Sequence, residues 1–307
     1  MSYRDHLPQL DGQAFLTDGG IETVLIFHEG FELPAFAAFD LLKDDYGTAA
    51  LRRYYAPFAE LAASRGLGFV AESPTWRASP RWARQLGYSA SELALANRRA
   101  IALMEELRSI HPLVVISGCI GPSDDGYDPA QLMSADDAEA YHSIQIATFA
   151  DTAADMVSAI TMTYAEEAIG VVRAARGAGL PVAISFTLET DGRLPSGQSL
   201  AEALAQVDGE TEAAPAYYML NCAHPTHFET VLEDASVRER VRGLRANASM
   251  LSHAELDEAE ELDDGDPDDL AARYAGLRDV LPNLSVLGGC CGTDLRHVTA
   301  IAGAVAV

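Results

Sequence analysis

Lysine is all but missing from this chain: Lys43 is the only one, and the other twenty cationic side chains are arginines. Lys43 stands among Asp40, Asp44 and Asp45, a setting that offers no buried amine, so Schiff-base mechanisms are set aside. Positive charge as a whole is scarce, with 21 basic against 46 acidic side chains and a formal net charge of −25. A surface of that sign repels phosphate backbones and anionic lipid heads, which argues against nucleic acid and membrane partners. The acid excess itself reads as a solvated surface. No stretch approaches the roughly 18 apolar residues of a membrane span. The opening MSYRDHLPQLDGQ lacks the cationic start and apolar run of a secretion signal, so the expected compartment is the cytoplasm. Four cysteines in 307 residues are too few for a disulfide scaffold. Two of them, Cys290 and Cys291, are adjacent, and clustered thiols in such a chain read as metal ligands or redox groups.

What is present is a globular composition, 49% apolar and 22% charged, with β-rich apolar runs alternating with helix-period segments. Strands are expected at 14–17, 68–72, 113–117, 156–162, 181–188, 216–221, 241–246 and 284–287. Helices are expected at 48–65, 90–110, 135–154, 165–178, 200–207, 226–240, 268–280 and 294–305. Ser89 with Glu92, Ser134 with Asp137 and Ser199 with Glu202 have the spacing at which a hydroxyl and a carboxylate satisfy the first free N–H groups of a helix. Eight strands, each followed by a helix, predict one α/β domain over 1–307, a (β/α)8 TIM barrel. A doubly wound open sheet is the competitor, but no glycine-rich phosphate loop follows the first strand. The longest insertion, 249–267, leads into a run from Glu255 to Asp269 with ten acids in fifteen residues. It reads as a solvated loop that would overhang the active face.

In such barrels the reactive groups lie just past the C-terminal strand ends. Cys222 closes the sixth strand in Tyr-Tyr-Met-Leu-Asn-Cys, and Cys290 and Cys291 close the eighth in Leu-Gly-Gly-Cys-Cys-Gly-Thr. Three thiolates converging there suit Zn²⁺ and leave its fourth tetrahedral position open, as in catalytic sites. The flanking glycines let two consecutive side chains turn inward, which strand alternation would forbid. The alternative is three small residues packed in a rim.

Asp18-Gly19-Gly20 after the first strand, Asn221-Cys222 after the sixth and Gly288-Gly289-Cys290-Cys291-Gly292 after the eighth resemble the zinc-dependent homocysteine S-methyltransferase family. That family includes the betaine–homocysteine and S-methylmethionine–homocysteine enzymes, and the resemblance covers essentially the whole chain. It implies zinc held by Cys222, Cys290 and Cys291, with the substrate thiol as fourth ligand. It further implies methyl transfer from an onium donor (S-methylmethionine, S-adenosylmethionine or betaine) to homocysteine or a related thiol, a step of methionine biosynthesis. Asp18 would face the substrate ammonium and the Gly19 N–H its carboxylate. Glu72, Ser73 and Thr75, closing the second strand, fall where the family places polar substrate contacts, and Thr161 and Asn221 complete the implied substrate site. The partners implied are the thiol and the methyl donor, and assembly into a homo-oligomer is compatible with them.

One departure stands out. The family carries a Glu five residues after the Asp that opens strand four; here Asp155 is followed at that position by Ile160. Either Glu72 takes over the ammonium, or the thiol is not homocysteine. Trp76 is a wall for an onium methyl or a core residue. His224 and His227 read as cap or loop residues at the start of a helix, Cys119 as a small buried side chain, and Glu166-Glu167 as a first helical turn. Glu189 and Asp191 could line a donor pocket.

Overall fold

The computed structural model describes residues 2–127, 131–259 and 261–305. Its eight strands are β1 (Phe15–Leu16), β2 (Gly68–Glu72), β3 (Val114–Ile120), β4 (Met156–Met162), β5 (Val182–Phe186), β6 (Tyr217–Asn221), β7 (Val241–Ala246) and β8 (Val286–Gly289). Every neighbour pair is parallel, and β8 returns to β1, closing the barrel in sequence order. Nearly every strand residue is buried on both faces, as expected of parallel strands roofed by helices. The (β/α)8 expectation is therefore met.

The principal outer helices are α1 (Asp45–Arg65), α2 (Ala90–Glu106), α3 (Ala135–Ala150), α4 (Ala165–Gly177), α5 (Leu200–Thr211), α6 (Ala235–Arg240), α7 (Pro267–Val280) and α8 (Leu295–Val305). Ser89 and Ser199 form full capping boxes with Glu92 and Glu202, the reciprocal satisfaction that their spacing implied. The single helix expected at 226–240 is instead broken into Pro225–Phe228, a short 3-10 turn and α6. Asp234 causes the restart: its carboxylate accepts the Ser236 N–H and caps a new helix.

Two apolar layers form. The outer one lies between strands and helices. The inner one fills the barrel with Phe15, Val70, Val115, Met156, Tyr217, Met219 and Val286. Its N-terminal mouth is stoppered by Leu7 and Gln9. There Asp155 accepts hydrogen bonds from the Tyr3 and Ile116 N–H groups, both at 2.8 Å, and from Arg108 at 2.6 Å. With that end plugged, the opposite rim is the open one. No described helix is long and apolar enough to cross a membrane.

Candidate active site

Three sulfurs meet at the C-terminal rim. Cys222 follows β6, and Cys290 and Cys291 follow β8; their Sγ atoms all lie within 4.8 Å of one another. Cys222 and Cys290 are joined as a disulfide with Cα atoms 5.4 Å apart, and Cys291 is a free thiol. Ligation of a metal by all three requires the reduced pair. Cys290 and Cys291 sit in a turn beyond the strand end, so their inward aim escapes strand alternation. Gly292 makes that turn with φ +76°, and a side chain on Gly20 would collide with the Cys290 carbonyl. The donor set fits zinc: three cysteines, a fourth side facing a cavity, and polar groups behind the sulfurs.

Those groups centre on Asn221. Its Oδ1 accepts the Thr161 N–H at 2.9 Å and the Ser185 hydroxyl at 2.6 Å, and its Nδ2 donates to Thr161 Oγ1 at 2.8 Å and towards Cys290 Sγ at 3.9 Å. The amide has thereby filled its capacity, so it braces the site from behind. Thr161 adopts φ +68° at a register break in β4, and its hydroxyl lies 4.0 Å from Cys222 Sγ. The break turns both Ile160 and Thr161 to the cavity.

That cavity, of about 200 Å³, lies beside the sulfurs and is walled by the loops after β1, β2, β3, β6 and β8 and by the ends of β4 and β7. Asp18 lines it, but its carboxylate is already engaged. Arg245 of β7 donates to Oδ1 at 2.8 Å and to the Gly19 carbonyl at 3.2 Å, and the Tyr54 hydroxyl donates to Oδ2 at 3.0 Å. Glu72 and Ser73 line the cavity too, whereas Thr75 lies behind the wall, donating to the Cys119 carbonyl at 2.7 Å. Neither Glu72 oxygen has a well-formed hydrogen bond. Burial pushes its carboxyl up to about 7, against the pull of Arg245 and of the Ser117 and Ser158 hydroxyls. Burial likewise pushes Glu22 to about 7 and the Cys291 thiol to about 11.

With this geometry in place, the comparisons with known proteins become specific. A family model described as homocysteine S-methyltransferase matches residues 15–305. The chain belongs to the homocysteine S-methyltransferase family. Among solved structures, it is similar to the homocysteine methyltransferase MmuM from Escherichia coli. The oxidized form gives a TM-score of 0.76 at 18% identity over 96% of this chain and 97% of that one. The metallated form gives 0.74 at 16% identity over 96% and 98%. No curated protein matches the sequence.

For a member of this family, sequence reasoning missed several site residues. Arg245 is the most consequential: it sits in the apolar strand Val-Arg-Gly-Leu-Arg-Ala, where a buried charge next to a strand end was the available signal. Arg77, Glu22 and Tyr127 also line the cavity, and the Tyr127 hydroxyl lies 3.9 Å from Cys291 Sγ. Trp76 is a wall residue whose Nε1–H donates to the Ile160 carbonyl at 3.1 Å. Cys119 is buried and borders the cavity. His224 caps the helix Pro225–Phe228, and His227 bonds the Met250 carbonyl. Glu166 and Glu167 lie in the first turn of α4, but Glu167 is also buried against His142 at 2.9 Å.

Glu189 and Asp191 are not among the residues lining the cavity. Glu189 reaches His253 at 3.2 Å, and Asp191 accepts the Arg193 N–H. The acidic run is less free than expected, although its Glu260 lies outside the described residues. His253, just before it, packs tilted against Tyr127 with ring centroids 4.4 Å apart and bonds the Cys222 carbonyl. Asp263 accepts the Ser249 hydroxyl, and Asp264 pairs with Arg296 at 2.7 Å.

Proposed function

We propose that this chain is a zinc-dependent thiol S-methyltransferase, carrying a methyl group from an onium donor to the sulfur of homocysteine or a related thiol. The observation that carries the reading is the convergence of Cys222, Cys290 and Cys291 within 4.8 Å at the wall of a rim cavity, in a chain of this family. Zinc bound by those three, in their reduced state, would supply a coordinated substrate thiolate at neutral pH, where a free alkyl thiol is mostly protonated.

The protein's own part is positioning and charge. The thiolate lone pair forms the new S–CH₃ bond as the bond from methyl to the onium atom breaks. That bond's electron pair stays on the onium atom, which leaves neutral. No general base is needed for this displacement, so the rate is set by holding the two partners in line. Asn221 sits behind the cysteine sulfurs, and the Thr161 and Tyr127 hydroxyls reach them from the cavity wall. Asp18, held by Arg245 and Tyr54, presents a rigid carboxylate edge, and the buried Glu72 carboxyl gains a partner when an ammonium enters.

A second reading concerns the acceptor. Ile160 is apolar and buried at the cavity wall, and Asp18 already neutralises Arg245. Both favour a related thiol lacking the amine over homocysteine, unless Glu72 holds the ammonium. The test is a mass-spectrometric screen of reduced, zinc-loaded protein with homocysteine and its deaminated analogue against S-methylmethionine, S-adenosylmethionine and betaine. Absence of methylated thiol in every combination overturns the methyltransferase reading.

A further inference from the structure

Among the described residues, one buried cation of the cavity has no counter-ion at ion-pair distance. Arg77 is 6% exposed and lines the cavity wall. Its guanidinium is sandwiched between the indoles of Trp76 and Trp82, 4.1 and 3.7 Å from the ring centroids. It donates one hydrogen bond, to the Asp124 carbonyl at 3.1 Å, and its buried Nε has no partner. The Asp124 side chain is taken by Arg81 at 2.7 Å. Among the described residues, no carboxylate reaches ion-pair distance of Arg77; Asp125 and Glu22 act on it only from further away. Arg245, the other cavity guanidinium, has a counter-ion in Asp18 at 2.8 Å, although its Nε is likewise without a partner.

A desolvated guanidinium is unfavourable unless a charge or hydrogen-bond partner compensates it. Two stacked indoles return part of the lost hydration and hold the planar fork in one orientation. What remains unmet is an anion able to accept the fork's N–H groups. A carboxylate matches that geometry.

We propose that Arg77 is the carboxylate-binding residue of the methyl-donor subsite, selecting donors in which an onium group and a carboxylate are joined in one molecule. This rests on the methyltransferase reading for the word donor, and on Arg77's surroundings for the rest. Of the groups that act on Arg77, Asp124 is buried, while Glu22, Asp125 and Tyr127 are half-buried at the cavity wall, and theirs is the more open side. Asp18, Glu72 and Arg245 act chiefly on one another and are almost fully buried. The thiol acceptor belongs with the buried set beside the sulfurs; the donor enters from the open side. There the acidic side chains and the Trp76 ring suit a cation, and Arg77 suits the anion tethered to it.

The chain has two tryptophans in all, and both lie against Arg77, so intrinsic fluorescence reports on this subsite without turnover. The probes are glycine betaine and dimethylsulfoniopropionate, each titrated against its primary amide, which has nearly the same shape but no negative charge. The expected result is a saturable fluorescence change with binding of the acids at least about ten-fold tighter than of the amides, as for a charge-assisted pair. Arg77→Gln should abolish that difference while leaving amide binding within about three-fold; Arg77→Lys, which keeps the charge and serves if the Gln variant does not fold, should retain part of it.

Equal binding of acid and amide to the wild type, no binding of either acid, or a preference that survives Arg77→Gln would overturn the proposal. Homocysteine and its amide form a third pair. An Arg77-dependent preference there, and not with the onium pairs, would overturn the donor assignment. Failure of the underlying reading looks different: acids bound through Arg77, but no methyl transferred to any thiol.

Discussion

Replacing Glu72 by Gln tests the buried end of the cavity through stability and through binding. In the native protein this carboxyl is buried without a well-formed hydrogen bond, and desolvation raises it from its usual 4.5 to about 7. The raised value means that the folded chain holds the Glu72 proton more tightly than the unfolded chain does. Its contribution is therefore fully present below about pH 4.5 and is lost as pH rises through about 7. At 1.36 kcal/mol per pH unit, the loss is roughly 3 kcal/mol. Glutamine keeps the shape and cannot ionise, so the advantage of Glu72→Gln over the wild type should grow from under about 1 kcal/mol at pH 5 to about 3 kcal/mol at pH 8.

Urea midpoints of both proteins across pH 5–8, metal-free and reduced, give the comparison; other titrating groups, including Glu22, cancel in the difference. A wild-type-minus-variant difference that is flat with pH would refute the burial argument. The same variant addresses the acceptor. If Glu72 receives the ammonium, the KM for an amino-acid thiol should rise about 10- to 100-fold, the equivalent of one charge-assisted hydrogen bond, while a deaminated thiol is unaffected. An unchanged KM for both would assign Glu72 to structure alone.

Other perturbations probe the remaining parts. The reduced protein should bind about one zinc per chain, and Cys290→Ala or Cys291→Ala should release it and abolish transfer with the circular dichroism unchanged; full metal retention by elemental analysis would remove those ligands from the assignment. Ile160→Glu should favour homocysteine over its deaminated analogue by about 1–3 kcal/mol in relative kcat/KM, measured by competition; a wild type that already prefers homocysteine by orders of magnitude would refute it. Arg245→Leu should destabilise the fold by about 3–5 kcal/mol by stranding Asp18, and Asp18→Asn in that background should recover part of the loss; additive effects in the double variant would deny the coupling.

Much of this site could be read before the fold was known, and the parts that could not share a cause. The barrel followed from eight apolar runs, and the cysteine cluster from two motifs at strand ends, because both depend on residue type at a position along the chain. Glu72 was found by a simple criterion, a carboxylate closing an apolar strand. Arg245 meets the mirror image of that criterion one residue before the end of its strand, but no spacing in the sequence joins it to Asp18, 227 residues away. Arg77 is equally silent. Its importance comes from the two indoles and from the lack, among the described residues, of a carboxylate at ion-pair distance, which only the packed chain reveals. Asn221 and Thr75 illustrate the converse: their polar groups were expected to meet substrate, yet tertiary hydrogen bonds consume them.

Asn221 also explains how the rim holds its shape. Thr161 at φ +68° and Cys222 at φ +52° are non-glycine residues in the left-handed region, and Thr161 is β-branched, the least tolerant kind. Each such residue costs on the order of 1–3 kcal/mol and persists only where its surroundings impose it. At Thr161 the imposing contact is the Asn221 amide, which bonds the Thr161 N–H and hydroxyl; the Cys222 backbone is held instead by its N–H to the Arg245 carbonyl and by Asn247 and His253 on its own carbonyl. The amide's two bonds to Thr161 and the one from Ser185 are worth about 0.5–1.5 kcal/mol each, comparable to the strain they offset. The consequence lies in direction: the first unusual backbone turns Ile160 and Thr161 together toward the cavity, and the second brings Cys222 to the sulfurs of β8. Asn221→Ala should therefore free the Thr161 backbone, destabilise the fold by about 1–3 kcal/mol because the buried Thr161 and Ser185 groups lose their partner, and weaken zinc binding about 10- to 100-fold, as loss of a group supporting metal ligands does. A variant with wild-type zinc affinity in a competitive chelator titration would show that the barrel positions Cys222 without this clamp.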